Sequence, residues 1–349
     1  MSIGTRPALT RFATLVPRVA VAAVAAVAAL ALTACGGGDG SDETESKQPS
    51  GQANAGAFPV TVEHKYGSTT IEAAPKKVVT LGLSDQDTVL ALGVKPVGSI
   101  DWFKEQPYGK WPWVKDLWGT AKPQVVGERD EYNMEKIAAL KPDLIVASYS
   151  GMKKEQYETL SKIAKVVGQP KGHEDYQAPW QVMTQQIGKA LGKEAETGKL
   201  ISGIDARFKA VRDTHPEWKG KTVTVGEPYE PGKFAAFSPK DPKTVFLTEM
   251  GFTTPAAFSK ALGKETIADL SSERLDVMEA DRTVWLGTPE TEKALKADPL
   301  YKKTKVNQEK RDLFLPYDNP DIGAALSFNT VLSIPYAIDQ VVPMLEAIK

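Results

Sequence analysis

A chain of 349 residues exceeds what one simple core needs and suits two lobes of roughly 100–150 residues each. With 42% hydrophobic and 25% charged residues, the composition is that of a folded soluble protein. A formal net charge of −1 gives no broad attraction for nucleic acid, and a single cysteine excludes an internal disulfide framework and a thiolate metal cluster.

The chain begins with Arg6, Arg11 and Arg18 around the start of a run of Ala, Val and Leu from Val19 to Leu32. At about 14 residues that run is short for a membrane span, which needs ~20, and right for the core of a signal peptide. It ends in Leu32-Thr33-Ala34-Cys35, followed by three glycines. This resembles a bacterial lipobox, which implies a signal peptide over residues 1–34 and a lipid on Cys35 that holds the protein on a membrane face. The remainder of residues 35–57 is Gly, Ser and acidic side chains without an apolar period, and reads as a flexible tether outside the cytoplasm.

The folded part opens with two short strands, Phe58 to Val62 and Thr69 to Ile71. A strand-then-helix series follows: strand Val78 to Leu81, helix Asp85 to Leu92 closed by Gly93, strand Val97 to Ile100, helix Met134 to Leu140, strand Asp143 to Ala147, helix Lys153 to Ala164 and strand Val166-Val167. Such alternation predicts a parallel sheet covered by helices. A long helical stretch, broken near Gly192, carries an apolar stripe of Leu200, Ile201, Ile204, Phe208 and Val211 and stops at Pro216. A second series runs through strand Thr222 to Val225, strand Phe234 to Phe237, helix Thr244 to Met250, strand Thr283 to Leu286 and a closing helix from Leu332 to Ile348. The fold class is therefore α/β and bilobal: an N-terminal lobe over residues 58–177, a connecting helical segment over 178–217 and a C-terminal lobe over 218–349. Loops beyond the carboxyl ends of the strands would line a cleft between the lobes.

Catalytic motifs are absent. His64, His173 and His215 lack metal-pair spacing, and neither a nucleophile elbow, a Walker loop nor a dinucleotide fingerprint occurs. An enzyme is not expected. Four tryptophans, Trp102, Trp111, Trp113 and Trp118, crowd one connection; such a run builds a flat wall or folds the loop on itself, and Trp102 lies nearest the strand end. Arg129 either offers paired hydrogen bonds to anionic oxygens of a ligand, or points to solvent and pairs with Asp130 or Glu131.

Asn133-Met134-Glu135-Lys136-Ile137-Ala138-Ala139-Leu140-Lys141-Pro142-Asp143-Leu144-Ile145-Val146 resembles a segment of the periplasmic-binding proteins for siderophores, haem and cobalamin. Ala91 to Gly98 and Leu332 to Asp339 extend the likeness over about residues 70–348. The resemblance implies two lobes with small hinge motion, serving an ABC importer. It implies that Glu135, and Glu273 in the context Ser271-Ser272-Glu273-Arg274-Leu275, dock on the permease, one per lobe. Val126-Gly127-Glu128-Arg129 through Glu135 is similar to the pattern of hydroxamate-binding members, whose arginine meets the iron-coordinating oxygens, which favours Arg129 as a ligand contact.

Tyr149 and Ser150 follow the strand ending near Ala147, Tyr229 follows the strand from Thr222, and Trp285 ends a strand; with Trp102 these complete the expected ligand set, core packing being the other reading of Trp285. The expected ligand is a ferric siderophore or similar chelate whose iron is held by the chelator, so no cofactor and no protein metal ligand are expected. The expected receptor is monomeric, with an ABC permease and a membrane anchor as partners and no nucleic acid. Haem in the same cleft is the runner-up, although no histidine falls at a cleft position. A cell-envelope scaffold that has lost its ligand is the rival from another class, and a hydrolase a distant third.

Overall fold

The computed structural model describes residues 57–348, apart from residues 105, 107, 110 and 318–320. Cys35, the signal peptide and all but the last residue of the tether lie outside the described residues.

A hairpin of β1 (Val60–His64) and β2 (Gly67–Ile71) precedes the first sheet. That sheet uses β3 (Val78–Thr80), β4 (Gly98–Ser99), β5 (Gln124–Val125), β8 (Leu144–Val146) and β9 (Lys165–Val167), all parallel, in the order β5-β4-β3-β8-β9. Every residue of β3 and β8 is buried, as expected for central strands covered on both faces. Between β5 and β8 lies a second hairpin, β6 (Gly127–Glu128) and β7 (Glu131–Tyr132). Helices α1 (Asp85–Ala91), α2 (Lys115–Trp118), α3 (Met134–Leu140) and α4 (Lys154–Leu160) make the connections. Local chemistry fixes α3: the Asn133 side chain accepts from the Lys136 N–H at 2.9 Å at its start, and Lys141 takes the left-handed conformation at its end.

Helix α5 (Trp180–Ala190) packs against α1 and β1, so it belongs to the first lobe; α6 (Glu194–Thr214) alone runs on to the second. At 21 residues, α6 is roughly 30 Å long. Its buried stripe, Thr197, Ile201, Ile204, Phe208 and Val211, contains four of the five apolar positions expected there or their neighbours on the same face. The second sheet comprises β10 (Val223–Glu230), β11 (Lys233–Phe237), β12 (Ile267–Ser271), β13 (Arg282–Gly287) and β14 (Asp312–Pro316), in the order β12-β11-β10-β13-β14. β10, β13 and β14 run parallel, while β11 and β12 are antiparallel to their neighbours. Around it lie α7 (Pro242–Glu249), α8 (Ala256–Leu262), α9 (Pro289–Ala297), α10 (Lys305–Gln308), α11 (Ile322–Phe328) and α12 (Ser333–Glu346). No helix among the described residues is long and apolar enough to cross a membrane.

The lobes share a core. One apolar cluster runs from Val79 and Ile145 through Ile204 and Phe208 to Val225, Phe246 and Ile338. The tryptophan-rich connection closes on itself and against the second lobe: Trp111 and Trp118 are buried with Val114, Ala324 and Phe328. Beside this contact sits a buried carboxylate. Asp87 Oδ2 accepts from the Trp113 indole N–H at 3.0 Å and from the Thr330 hydroxyl at 2.7 Å, joining first lobe to second.

Burial pushes Asp87 up to about 7 and its neighbour Asp85 up to about 6. A buried acid with a raised pKa binds its proton more tightly folded than unfolded, so it stabilises at low pH and the contribution is lost as pH rises through the folded value. Between pH 6 and 8 the Tm should therefore fall by about 2–4 °C, and Asp87→Asn should flatten that fall. His64, lowered by burial, acts in the opposite direction as pH falls, so the difference between the two proteins is the quantity to measure by thermal melts.

Candidate functional site

The order of the first sheet reverses direction between β3 and β8, and the carboxyl ends of these two strands mark the crevice where ligands of open α/β sheets bind. Asp85, in the first turn of α1, grips the loop there: its carboxylate accepts the N–H of Ser148 at 2.7 Å and of Tyr149 at 3.1 Å. Tyr149 is thereby held at the junction, 7% exposed. Its phenol pKa is raised well above the ordinary value, first by burial, then by Asp241 and Tyr176, with Arg129 acting in the opposite sense. Tyr317, which follows β14, also bears on it. The groups that meet there come from both lobes.

On the first lobe, Arg129 occupies the turn of the β6–β7 hairpin with φ +46°. Its guanidinium lies over the Trp102 ring, 5.6 Å from the centroid. Trp102 meets Phe103 edge-on at 4.1 Å, and Phe103 meets Tyr317 at 5.7 Å and Phe328 at 5.7 Å across the junction. Tyr176 sets its ring edge to Tyr149 at 5.5 Å. The alternative partners of Arg129 are engaged elsewhere or left apart: Asp130 accepts from Tyr132, Tyr176 and the Gly151 N–H. Arg129 is exposed, and among the described residues no hydrogen bond or ion pair takes up its donors; its guanidinium lies over the Trp102 ring.

On the second lobe, Lys243 and Asp241 form a buried ion pair at 3.0 Å, with the ammonium 3.9 Å from the Phe237 ring centroid. Burial opposes the charge of Lys243, and Asp241, Tyr317 and Glu227 more than offset it, so its pKa is raised. Glu227 is raised in turn by burial, against the attraction of Lys243. Burial, assisted by neighbouring carboxylates, also raises Tyr132, Tyr176 and Tyr317, so these phenols keep their protons at neutral pH. The arrangement presents a cation with open donors, protonated phenols and aromatic faces. That set suits an oxygen-rich ligand with apolar or conjugated surface.

Two expected contacts are corrected. Trp285 is 0% exposed and packs edge-on to Phe234 and Tyr301 in the core on the far face of the second sheet. Ser150 is also fully buried; its hydroxyl donates to the Ala147 carbonyl at 2.8 Å and closes a turn. Tyr229 stands 38% exposed near Asp269, Lys233 and Glu230 at the end of β10. Phe103, Tyr176, Glu227, Asp241, Lys243 and Tyr317 were not foreseen; Phe103 and Glu227, shortly after the expected strands Val97 to Ile100 and Thr222 to Val225, carried a positional signal. Glu135 and Glu273 are exposed in the first turns of α3 and of the 3-10 segment Ser272–Met278, one on each lobe. Of the histidines, His64 is buried against Thr69, and His215 stacks on Trp218 near the chain end. Among the described residues no group of three or more His, Cys, Asp or Glu is placed to hold a metal ion.

A family model described as periplasmic binding protein matches residues 78–317. The putative ABC transporter substrate-binding lipoprotein YhfQ of Bacillus subtilis is 36% identical over 163 residues, 47% of this chain and 49% of that protein. The probable siderophore-binding lipoprotein YfiY of the same organism is 30% identical over 226 residues, 63% of this chain and 66% of that protein. The matched stretches thus span about half of one relative and just under two thirds of the other. The structure of PiaA from Streptococcus pneumoniae in complex with ferrichrome aligns with a TM-score of 0.71 and 30% identity, covering 82% of this chain and 97% of PiaA.

The burial of Trp285 has a measurable consequence. Trp285→Ala should destabilise by ~3–5 kcal/mol in urea unfolding, the range for emptying a core aromatic site, whereas Tyr229→Phe should stay within about 0.5 kcal/mol.

Proposed function

Because the chain belongs to the periplasmic binding protein family, we propose that it captures a ferric siderophore in the groove between its lobes and delivers it to the permease of an ABC importer. The observation that carries this reading is the guanidinium of Arg129, laid over Trp102 with its donors open and near enough to Tyr149 and Tyr176 to act on both phenols. A ferric siderophore presents iron already coordinated by chelator oxygens, and those oxygens are partly anionic. A guanidinium and neutral phenols bind them by outer-sphere hydrogen bonds, while aromatic rings cover the ligand's apolar frame. The relative named as siderophore-binding and the ferrichrome complex of a similar structure support the same ligand class.

The contact set of the proposal is Arg129, Trp102 and Tyr149, joined by Tyr176 and Tyr317, with Tyr229 at a rim. The receptor performs no turnover and needs no resident cofactor; iron is cargo. It acts as a monomer, held outside the cytoplasm by a lipid on Cys35 and a tether that lets the lobes reach the permease. Glu135 and Glu273, exposed on separate lobes, seat it there. Acidic residues in the first helical turn are favoured by the helix dipole in any case, so the docking role is decided by uptake.

Titrating ferric hydroxamate, catecholate and mixed chelates into the protein should quench tryptophan fluorescence with at least one class; silence toward all would refute the ligand assignment. Arg129→Ala should weaken that binding by roughly tenfold or more, the value of one charge-assisted hydrogen bond. Reversing Glu135 and Glu273 to lysine together should abolish uptake while leaving chelate affinity intact, and a loss of affinity would remove them from the docking surface.

A further inference from the structure

We propose that Asp130 is the positioning residue of this groove: its side chain staples the Arg129 turn, the loop after β8 and the Tyr176 segment into one preset surface for the chelate. The inference rests on the siderophore reading above and names what holds that site in shape. Oδ1 of Asp130 accepts the Gly151 N–H at 2.9 Å and the Tyr132 hydroxyl at 3.2 Å. Oδ2 accepts the Tyr176 hydroxyl. The main-chain carbonyl of Asp130 accepts from Gln156 Nε2 at 2.6 Å, which brings in α4. Four segments converge on one residue.

Two of the groove side chains sit on backbone that L residues avoid. Arg129 has φ +46° and Tyr176 has φ +63°. Neither is glycine, and such conformations persist only where the surroundings over-determine them. The β6–β7 ladder is two residue pairs long, Gly127 with Tyr132 and Glu128 with Glu131. A ladder that short does not fix its turn. Asp130 is covalently next to one strained residue and hydrogen-bonded to the other.

The packing around the staple leaves no slack. A Cβ on Gly151 would come within 2.8 Å of the Tyr176 hydroxyl and 2.9 Å of Asp130 Oδ2. A side chain at this point of the loop after β8 would displace the Tyr176 hydroxyl or the Asp130 carboxylate. The same bonds also have an electrostatic effect. A carboxylate saturated by two phenols and one amide is satisfied without a cation, so the neighbouring guanidinium remains free for the ligand. Were Asp130 turned outward, it would become the ion-pair partner of Arg129 and compete with the chelate oxygens.

The test compares Asp130→Asn, Arg129→Ala and the double variant, titrated with the ferric chelate that quenches the wild-type protein. Asp130→Asn keeps the volume but removes one of the two oxygen acceptors. The Kd should rise roughly tenfold, about 1.4 kcal/mol. In the Arg129→Ala background the same change should cost about threefold, because the part that acts through the guanidinium is already gone while the Tyr149 and Tyr176 contacts remain. Equal losses in both backgrounds, or a wild-type Kd in Asp130→Asn, would overturn the assignment.

Hydrogen exchange of the ligand-free proteins supplies a second readout. The Gly151 amide should lose protection in Asp130→Asn, and unchanged protection also overturns the staple. Should Asp130→Asn fail to fold, Tyr132→Phe carries both measurements, since it removes one donor from Oδ1, the oxygen that holds the Gly151 amide, and leaves the carboxylate and the ligand contacts in place. A wild-type protein that no chelate quenches, together with the exchange difference, sinks the transport reading and not the staple's geometry.

Discussion

The site depends on a division of labour between adjacent residues of opposite charge. Arg129 and Asp130 are neighbours in a tight turn, where an ion pair in solvent would be the ordinary outcome. Instead the carboxylate is turned to Tyr132, Tyr176 and Gly151, and the guanidinium lies over Trp102. A charge whose partners are all neutral donors keeps its own hydrogen bonds satisfied without cancelling the cation beside it. The free cation and the orientation of Tyr176 follow from where this one carboxylate points, and the loop after β8 is held by it together with Asp85.

Around this turn the lobes are held by a small set of directed contacts over a shared core. Asp87 joins Trp113 of the first lobe to Thr330 of the second, and Gln177 Nε2 donates to Thr266 Oγ1 at 2.7 Å on the other side. The aromatic wall of Trp102 and Phe103 continues into Tyr317 and Phe328 without a polar break. An apolar cluster that passes through α6 from sheet to sheet does not permit wide separation of the lobes. On the transport reading, lobes fixed in this way would lose little ordering entropy when a ligand enters, a condition for tight binding.

How much of this was legible in the sequence varied with the range of the interactions. Helix α3 was bounded correctly because its signals are local: Asn133 caps its own first turn and Lys141 closes its last. The alternation of strands and helices was legible for the same reason, and so was the period of α6; that α5, expected as part of the connection over 178–217, packs on α1 and β1 was not. Facing was not legible. Thr283, Val284, Trp285 and Leu286 are all buried, so no polar alternation in β13 reveals which side meets the groove, and Trp285 proved to lie on the other. Ser150 misled because a hydroxyl in a cleft loop looks available until a carbonyl three residues earlier is seen to accept it. The second lobe's half of the groove, Glu227, Asp241, Lys243 and Tyr317, is assembled from three distant segments, and no local pattern announces such an assembly.

The protonation of the groove bears on how a bound chelate would leave. Arginine keeps its charge at any physiological pH, and the phenols of Tyr149, Tyr176 and Tyr317 are all raised above their ordinary values. The phenol donors therefore keep their protons at neutral pH, and proton loss does not remove them from the grip. On the transport reading, release falls to geometry. Arg129 and Trp102 belong to one lobe, Tyr317 and Lys243 to the other, and hydrogen bonds weaken steeply once stretched beyond about 3.2 Å. A change of lobe spacing well under the width of a side chain would loosen both halves of the grip together. Glu135 and Glu273, exposed on separate lobes, are placed where a partner holding both could impose such a change.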